Sequence, residues 1–482
     1  MDDLRGFISK VEKLGELRVI EGADWNLEIG GAAYLAAKAP NPPAILFDRI
    51  KGYPAGYRIF VNPYSTSNRM ALIFGLPLPG SGLELAGRIR ERLKEPVKRT
   101  PPVEVREGPI LENVYRGEEV DLFKFPTPQW LAQDGGRYLG TGDAVIAKDP
   151  DEGWVNISAQ RLQIHDKTTA TIFSEPGKHL DMIRKKYWAK GKNCPVAVAC
   201  GIHPIFVSVG GMSLAWGMSE YDWVGWWLKE PVRVITGPTT GLPIPADAEI
   251  VLEGEMVPPE VESRMEGPFS EWTGHYSPAR PEPALRVKCA LHRNDPIILG
   301  ALPFFGRGGS DYRIGHVMKA ARVWNMLDAI VPGVKGVWVY YQLGGIANVV
   351  ISLEQKYGGH AKQAALAALG QMSYLTKFII VVDEDVDPSN LRHVLWAVGL
   401  RSEPEEWEII RGTWNGYLDP RLSPEKKEAG DITHSSAIIL ACKPFHWIKD
   451  FPPAVVEDPE LEKKVKEKWG SLLLEPATTP HD

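Results

Sequence analysis

The chain has 482 residues, 44% hydrophobic and 24% charged, with a formal net charge of -6, the composition of a globular protein too long for a single core. No long basic run suggests nucleic-acid binding, no unbroken apolar stretch is long enough to span a bilayer, and MDDLRGFISKVEKLG at the start has no apolar signal core. Cys194, Cys200, Cys289 and Cys442 form no CxxC and no zinc spacing, which predicts buried thiols in a reducing cytoplasm.

Leu4, Phe7, Ile8, Val11 and Leu14 repeat at helix spacing and stop at Gly15. Strands and helices alternate to about residue 100, where KRTPPVEVREGPI is proline-rich and marks a boundary. From about 110 to 310 short β-rich runs separated by turns dominate, among them YLGTGDAVIAKDP, GWVNISAQRLQIHD, CPVAVACGIHPIFVSVG and ALRVKCALHRNDPIILGAL. Their spacing predicts a β-barrel or sandwich rather than a doubly wound sheet. Ile314, Val317, Met318, Ala321, Trp324, Leu327 and Ile330 predict a helix linking this region to a second α/β unit. That unit contains VKGVWVYYQ, a helix from His360, KFIIVVDEDVD and a helix from Ser389. Asp458-Pro459 opens a last helix, whose stripe of Leu461, Val465, Trp469 and Leu473 packs on its own subunit or reaches a partner.

Familiar catalytic signatures are absent. There is no GxxxxGK[ST], GxSxG or HExxH, and GTGDA at Gly140 lacks the third glycine of a dinucleotide fingerprint. In RMEGPFSEWTGHY, Glu266 and Glu271 lie five apart around Gly267 and Pro268, which is a turn or bulge and not a helix face. In WVNISAQR, Asn156 and Arg161 would point to opposite faces of one strand unless the strand is interrupted. SEPGKH places Lys178 and His179 after a turn, and GMSLAWGMSEYDW places Glu220 among small and aromatic residues. An amide oxygen, an imidazole and a carboxylate suit Mg or Mn, although unrelated surface or core groups would read the same way. Asp383, Asp385 and Asp387 alternate as in an EF-hand loop, but Pro388 and Val394 occupy the places of its glycine and last glutamate.

In their order and separations, WVNISAQR, PGKH, MSE and EGPFSEWTGHY resemble the motifs of the UbiD family of decarboxylases that use prenylated FMN, and KFIIVVDEDVDPSNLRHV extends the likeness into the C-terminal unit. The resemblance implies a mixed α/β (α+β) chain with five parts. These are an N-terminal α/β element (1–105), a central split β-barrel domain that binds the cofactor (106–311), a linking helix (312–332), a C-terminal α/β oligomerisation domain (333–455) and a C-terminal helix and tail (456–482). It assigns Asn156, His179 and Glu220 to a divalent metal, usually Mn2+ or else Mg2+, that bridges to the cofactor phosphate. The backbone of Trp154 and Met212 would lie near K+. Lys178 and Lys377 would approach the cofactor, and Arg161, Glu266 and Glu271 would form the catalytic network.

Losing carbon dioxide from an sp2 carbon requires an electron sink that side chains do not supply. On the family reading Glu271 donates the proton to the carbon left behind, burial favouring its neutral form and Arg161 its ionised one, while Glu266 orients and competes for Arg161. The same residues would otherwise be a structural network holding a turn. Trp272 is expected to line the substrate pocket, with Phe304, Phe305, Arg307, Trp414 and Leu418 as further candidates. The expectation is a cytoplasmic homodimer or hexamer acting reversibly on an α,β-unsaturated or (hetero)aromatic carboxylic acid, supplied with cofactor by a flavin prenyltransferase. Two alternatives are a metal-dependent hydrolase without flavin and a non-catalytic subunit of a carboxylase complex.

Overall fold

The computed structural model describes residues 2–212, 214–302, 316–340, 348–372, 374–455 and 458–474. The first helix, Leu4–Lys13, is capped by the Asp3 carboxylate, which accepts from Gly6 N, and it buries Leu4, Phe7, Ile8 and Val11. Arg5 on this helix reaches the buried Glu249 through Nε and Nη2, both at 2.9 Å, so the N-terminus is tied to the central region. A four-stranded sheet follows in the order Leu17–Glu21, Ala44–Asp48, Arg58–Val61 and Ile297–Gly300. Its last strand comes from the far end of the central region. Val103–Glu104 pairs in turn with Arg233–Thr236, so pairings run both ways across the proline-rich boundary.

Among the described residues the central sheet has ten strands. Its path runs Arg137–Tyr138, Leu162–Ile164, Thr169–Ile172, Arg280–His292, Ile250–Met256, Cys194–Cys200, Asp143–Lys148 and Val155–Gln160, and two further strands join the long Arg280–His292 strand. Val155–Gln160 and Leu162–Ile164 are separated in sequence by Arg161 alone, yet they lie near opposite ends of this path. Six strand spacings in a flat sheet would part them by about 30 Å, whereas one residue spans about 3.5 Å. The sheet therefore curls into a half-barrel, and Arg161 sits where the chain crosses its opening. This interruption resolves the facing problem of Asn156 and Arg161.

Three helices pack on the Val155–Gln160 strand: His179–Ala189, Ile205–Gly210 and Glu220–Leu228. The last two lie in runs that read as β-rich or unassigned. IFVSVG and EYDWVGWWL are apolar on nearly every side, so burial all round erases the 3.6-residue stripe. Gly210 allows the close approach, because a Cβ there would lie 2.8 Å from Ala159 N.

The C-terminal sheet runs Val334–Tyr340, Asn348–Leu353, Phe378–Asp383, Thr433–Ala441 and Glu408–Trp414, with the middle three parallel. The helix ahead of it spans His316–Asp328. Asp383 and Asp385 both receive the buried Arg401, which makes the acidic run an ion-pair network. Residues 1–442 form one compact unit and 443–482 another. In the second, Pro459–Leu474 is a helix on which Leu461, Val465, Trp469 and Leu473 are exposed. All four cysteines are buried and free. No helix among the described residues is long and apolar enough to cross a membrane.

Candidate active site

Arg161, Glu266 and Glu271 converge and are all buried. Arg161 Nε donates to Glu266 Oε1 at 2.7 Å and Nη2 to Glu266 Oε2 at 2.8 Å, a bidentate fork; Nη1 donates to Glu271 Oε1, and Nη2 also reaches Ser277 Oγ at 3.1 Å. Phe173 and Phe269 flank the guanidinium carbon, with ring centroids at 4.2 and 4.9 Å. A buried cation held by two carboxylates and two aromatic faces has little freedom to reorient.

The turn between the two glutamates is held from outside. Glu266 ends the Ser263–Glu266 strand, which pairs with the start of Arg280–His292, and Gly267 follows with φ 83°. That left-handed conformation is open to glycine and costly for other residues. Gly267 N donates to Gln163 Oε1 at 2.9 Å, Gly135 N to Pro268 O at 2.7 Å, and Ser270 N to Asp134 Oδ1 at 2.9 Å. Gly135 itself fits no larger residue, because a Cβ there would lie 2.0 Å from Gly267 O. Tyr138 Oη lies 3.2 Å from Glu266 Oε1 and 3.2 Å from Gln163 Oε1. Sequence reasoning missed Asp134, Gly135, Tyr138 and Gln163. The Gly135-Gly136 pair was a turn signal, but nothing in spacing ties it to Glu266, more than a hundred residues away.

Asn156 and Glu220 also meet. Glu220 opens its helix behind the Ser219 cap, accepts from Ile157 N at 2.6 Å, and lies 3.3 Å by each oxygen from Asn156 Nδ2. Burial pushes the Glu220 carboxyl up to about 8. Among the described residues Asn156 Oδ1 and Trp154 Nε1 are buried without a hydrogen-bond partner, and so is Ser158 Oγ on the same strand face as Asn156. An acceptor oxygen with no donor among the described residues, beside a carboxyl that burial makes hard to ionise, has the polarity to receive a cation. His179 opens the helix after Lys178, its ring edge-on to Trp154 at 5.5 Å and to Trp216 at 5.2 Å. Partial burial and then the Lys178 charge push it below its ordinary value, which suits a neutral ligand. Among the described residues no three His, Cys, Asp or Glu side chains gather as a metal cluster, and the set named here is one imidazole and one carboxylate with an amide.

The Lys178 ammonium lies 4.9 Å from the Tyr374 ring, on which Trp414 packs at 4.6 Å, and Tyr374 Oη donates to Glu175 at 2.9 Å. Lys377 is ion-paired with Asp419 at 3.1 Å. Met212 is partly buried against the core, Trp272 and Leu418 are half-buried, and Trp414 is exposed. Phe304, Phe305 and Arg307 lie outside the described residues.

The chain matches three domains of the 3-octaprenyl-4-hydroxybenzoate carboxy-lyase (UbiD) family: the N-terminal domain over residues 8–89, the Rift-related domain over 102–304 and the C-terminal domain over 312–442. It is 32% identical over 426 residues to a phenolic acid decarboxylase of Streptomyces sp. (strain D7), covering 85% of this chain and 86% of that protein. It is also 32% identical over 425 residues to a pyrrole-2-carboxylic acid decarboxylase of Pseudomonas aeruginosa, covering 83% of each. Among solved structures, the UbiD-class enzyme HmfF from Pelotomaculum thermopropionicum in complex with FMN superposes with a TM-score of 0.83 at 27% identity, over 96% of this chain and 98% of that one. An evolved dimeric form of the same enzyme, in complex with prFMN, gives 0.80 at the same identity and coverage.

Proposed function

Because the chain belongs to the UbiD family and is therefore a carboxy-lyase, we propose that it removes carbon dioxide, reversibly, from an α,β-unsaturated or (hetero)aromatic carboxylic acid with prenylated FMN as cofactor and Glu271 as proton donor. The observation that carries this reading is the buried Arg161, Glu266 and Glu271 network, set one strand-length from the unsatisfied polar face of Asn156 and Ser158.

Prenylated FMN, when bound, supplies the electron sink that no side chain here offers. Asn156, His179 and Glu220 would hold Mn2+ or Mg2+ against its phosphate. The orphaned Asn156 oxygen, the buried Glu220 carboxyl and the neutral His179 support that assignment. The Trp154 and Met212 backbone would serve K+, and Lys178 and Lys377 would add positive charge at the cofactor. In the decarboxylating direction the bond between substrate carbon and carboxylate breaks, carbon dioxide leaves, and the Glu271 O–H proton forms the new C–H bond. Glu271 is left as a carboxylate facing Arg161 and regains its proton from solvent. Arg161 stabilises that carboxylate and keeps it aimed, and Phe173 and Phe269 keep water from the guanidinium. Trp272, next to Glu271, would form one wall for a flat substrate, with Trp414 and Leu418 as further candidates.

A flavin prenyltransferase would supply the cofactor, in the cytoplasm, where four buried free thiols stay reduced. Leu395, Trp396 and Leu400 are exposed together on the Leu391–Arg401 helix, which supports a homodimer or hexamer joined through the C-terminal element. The test is co-expression with a flavin prenyltransferase, followed by the absorbance spectrum and mass of the bound cofactor and a screen of aromatic and acrylic acids. A prenylated flavin and carbon dioxide release that falls about a thousandfold in Glu271→Gln are expected. A chain that binds no flavin under these conditions would overturn the proposal in favour of metal-only chemistry.

A further inference from the structure

We propose that Tyr138 decides which of the two carboxylates carries the transferable proton: its phenol O–H donates to Glu266, holds that carboxylate ionised against Arg161, and leaves the proton on Glu271. This rests on the reading of Glu271 as proton donor and makes Tyr138 a positioning residue.

The two glutamates are not equivalent. Glu266 is fully buried and is approached by three donors: Arg161 Nε at 2.7 Å, Arg161 Nη2 at 2.8 Å and the Tyr138 phenol at 3.2 Å. Glu271 receives, among the described residues, only Arg161 Nη1. One buried cation is best balanced by one anion, so the pair retains one proton, and the carboxylate with three donors gives it up.

The phenol has a single proton and two acceptors at equal distance, Glu266 Oε1 and Gln163 Oε1. Gln163 cannot turn to resolve this. Its oxygen accepts from Gly267 N and its nitrogen donates to Gly135 O, which together fix the amide. Each acceptor oxygen already holds one donor, and a charged acceptor outcompetes a neutral amide, so the proton goes to Glu266. Were Glu266 protonated instead, it would donate to the phenol oxygen and Tyr138 would donate to Gln163. Burial, and then the Glu266 charge, push the phenol far above its ordinary value, so it remains a donor at every working pH.

Other charges facing the pair do not disturb this balance. Glu282 is paired with Arg280, which lies opposite Glu266 in the strand register, and with Arg184. His165 is pushed down by burial and then by Arg264, and so stays neutral. Asp134, facing Arg161, is pushed up by burial and accepts from Leu131 N and Ser270 N.

The experiment is a carboxyl-13C NMR titration of the glutamate-labelled cofactor-free chain, with Glu266→Gln and Glu271→Gln to assign the two signals. The expected wild-type result is a Glu266 signal that stays ionised through the neutral range while Glu271 titrates. In Tyr138→Phe, which keeps the ring packed on Phe269, the two signals should move together. In the holoenzyme that variant should lose about tenfold in kcat with KM unchanged, the effect of one hydrogen bond to a charged group. Adding it to Glu266→Gln should change nothing further. A wild-type Glu266 that titrates in place of Glu271 would overturn the proposal even if the variant does not fold. So would a Tyr138→Phe chain whose titration and kcat match the wild type. A wild-type holoenzyme that releases no carbon dioxide would instead defeat the decarboxylase reading, while the cofactor-free titration still judges Tyr138.

Discussion

Asn156 and Arg161 lie five residues apart at the opening of one half-barrel, yet their surroundings differ in kind. Around Arg161 every guanidinium nitrogen finds an acceptor, and the turn that carries the glutamates is tied to Gln163, Gly135 and Asp134. Around Asn156 the polar groups are incomplete: its own oxygen, Trp154 Nε1 and Ser158 Oγ have no partner among the described residues, and burial raises the Glu220 carboxyl. A cluster that the chain satisfies alone is preorganised for chemistry, since it need not rearrange when the reaction comes. A cluster whose buried polar atoms the described residues leave unsatisfied has hydrogen-bonding capacity to spare.

The largest break in this comparison comes from removing the cation of the complete cluster. Arg161→Gln leaves the buried Glu266 carboxylate uncompensated and Glu271 without its donor, and should cost about 3–5 kcal/mol in a urea titration while abolishing decarboxylation. A stability unchanged within error would mean that the cluster is solvated and not preorganised.

The incomplete cluster should respond in the opposite sense. Glu220→Gln removes a buried acid that has no cationic side chain against it among the described residues, so the cation-free chain should be as stable as the wild type or more so. Its Mn2+ affinity, read by calorimetry, should fall by about a hundredfold or more, because a charged ligand is replaced by a neutral one. Destabilisation of the cation-free variant would show that Glu220 is already satisfied by the protein.

The smallest expected effect comes from a group in neither cluster and sets the acid limit for both measurements. Burial pushes His203 from 6.5 down to about 4, and its ring packs edge-on to Phe7 of the first helix. The unfolded chain therefore binds this proton first. The stabilisation is complete above the unfolded value and is lost as pH falls toward the folded one, by about 2 kcal/mol near pH 5. Urea midpoints measured between neutral and acid pH should show this slope in wild type and a shallower one in His203→Asn. Parallel slopes would assign the acid lability elsewhere.

Much of this architecture was visible in the chain before folding. The apolar period of Leu4, Phe7, Ile8 and Val11 marked the first helix, Asp458-Pro459 marked the last, and short β-rich runs marked the central sheet. The helices at Ile205–Gly210 and Glu220–Leu228 were hidden, because a segment buried on all sides carries no amphipathic stripe.

The sequence by itself determined the chemical inventory: which residue types stand near one another along the chain, which turns are forced by Gly267 and Pro268, and which motifs Arg161, Glu266 and Glu271 belong to. Only the tertiary structure decided who satisfies whom. That the sheet curls until Arg161 crosses its opening, that Tyr138 reaches Glu266 across a sequence gap of 128 residues, and that Asn156 Oδ1 has no donor among the described residues are facts of long-range geometry. Periodicity reports which face of an element is apolar, but a hydrogen bond between distant segments leaves no mark in the spacing of either one.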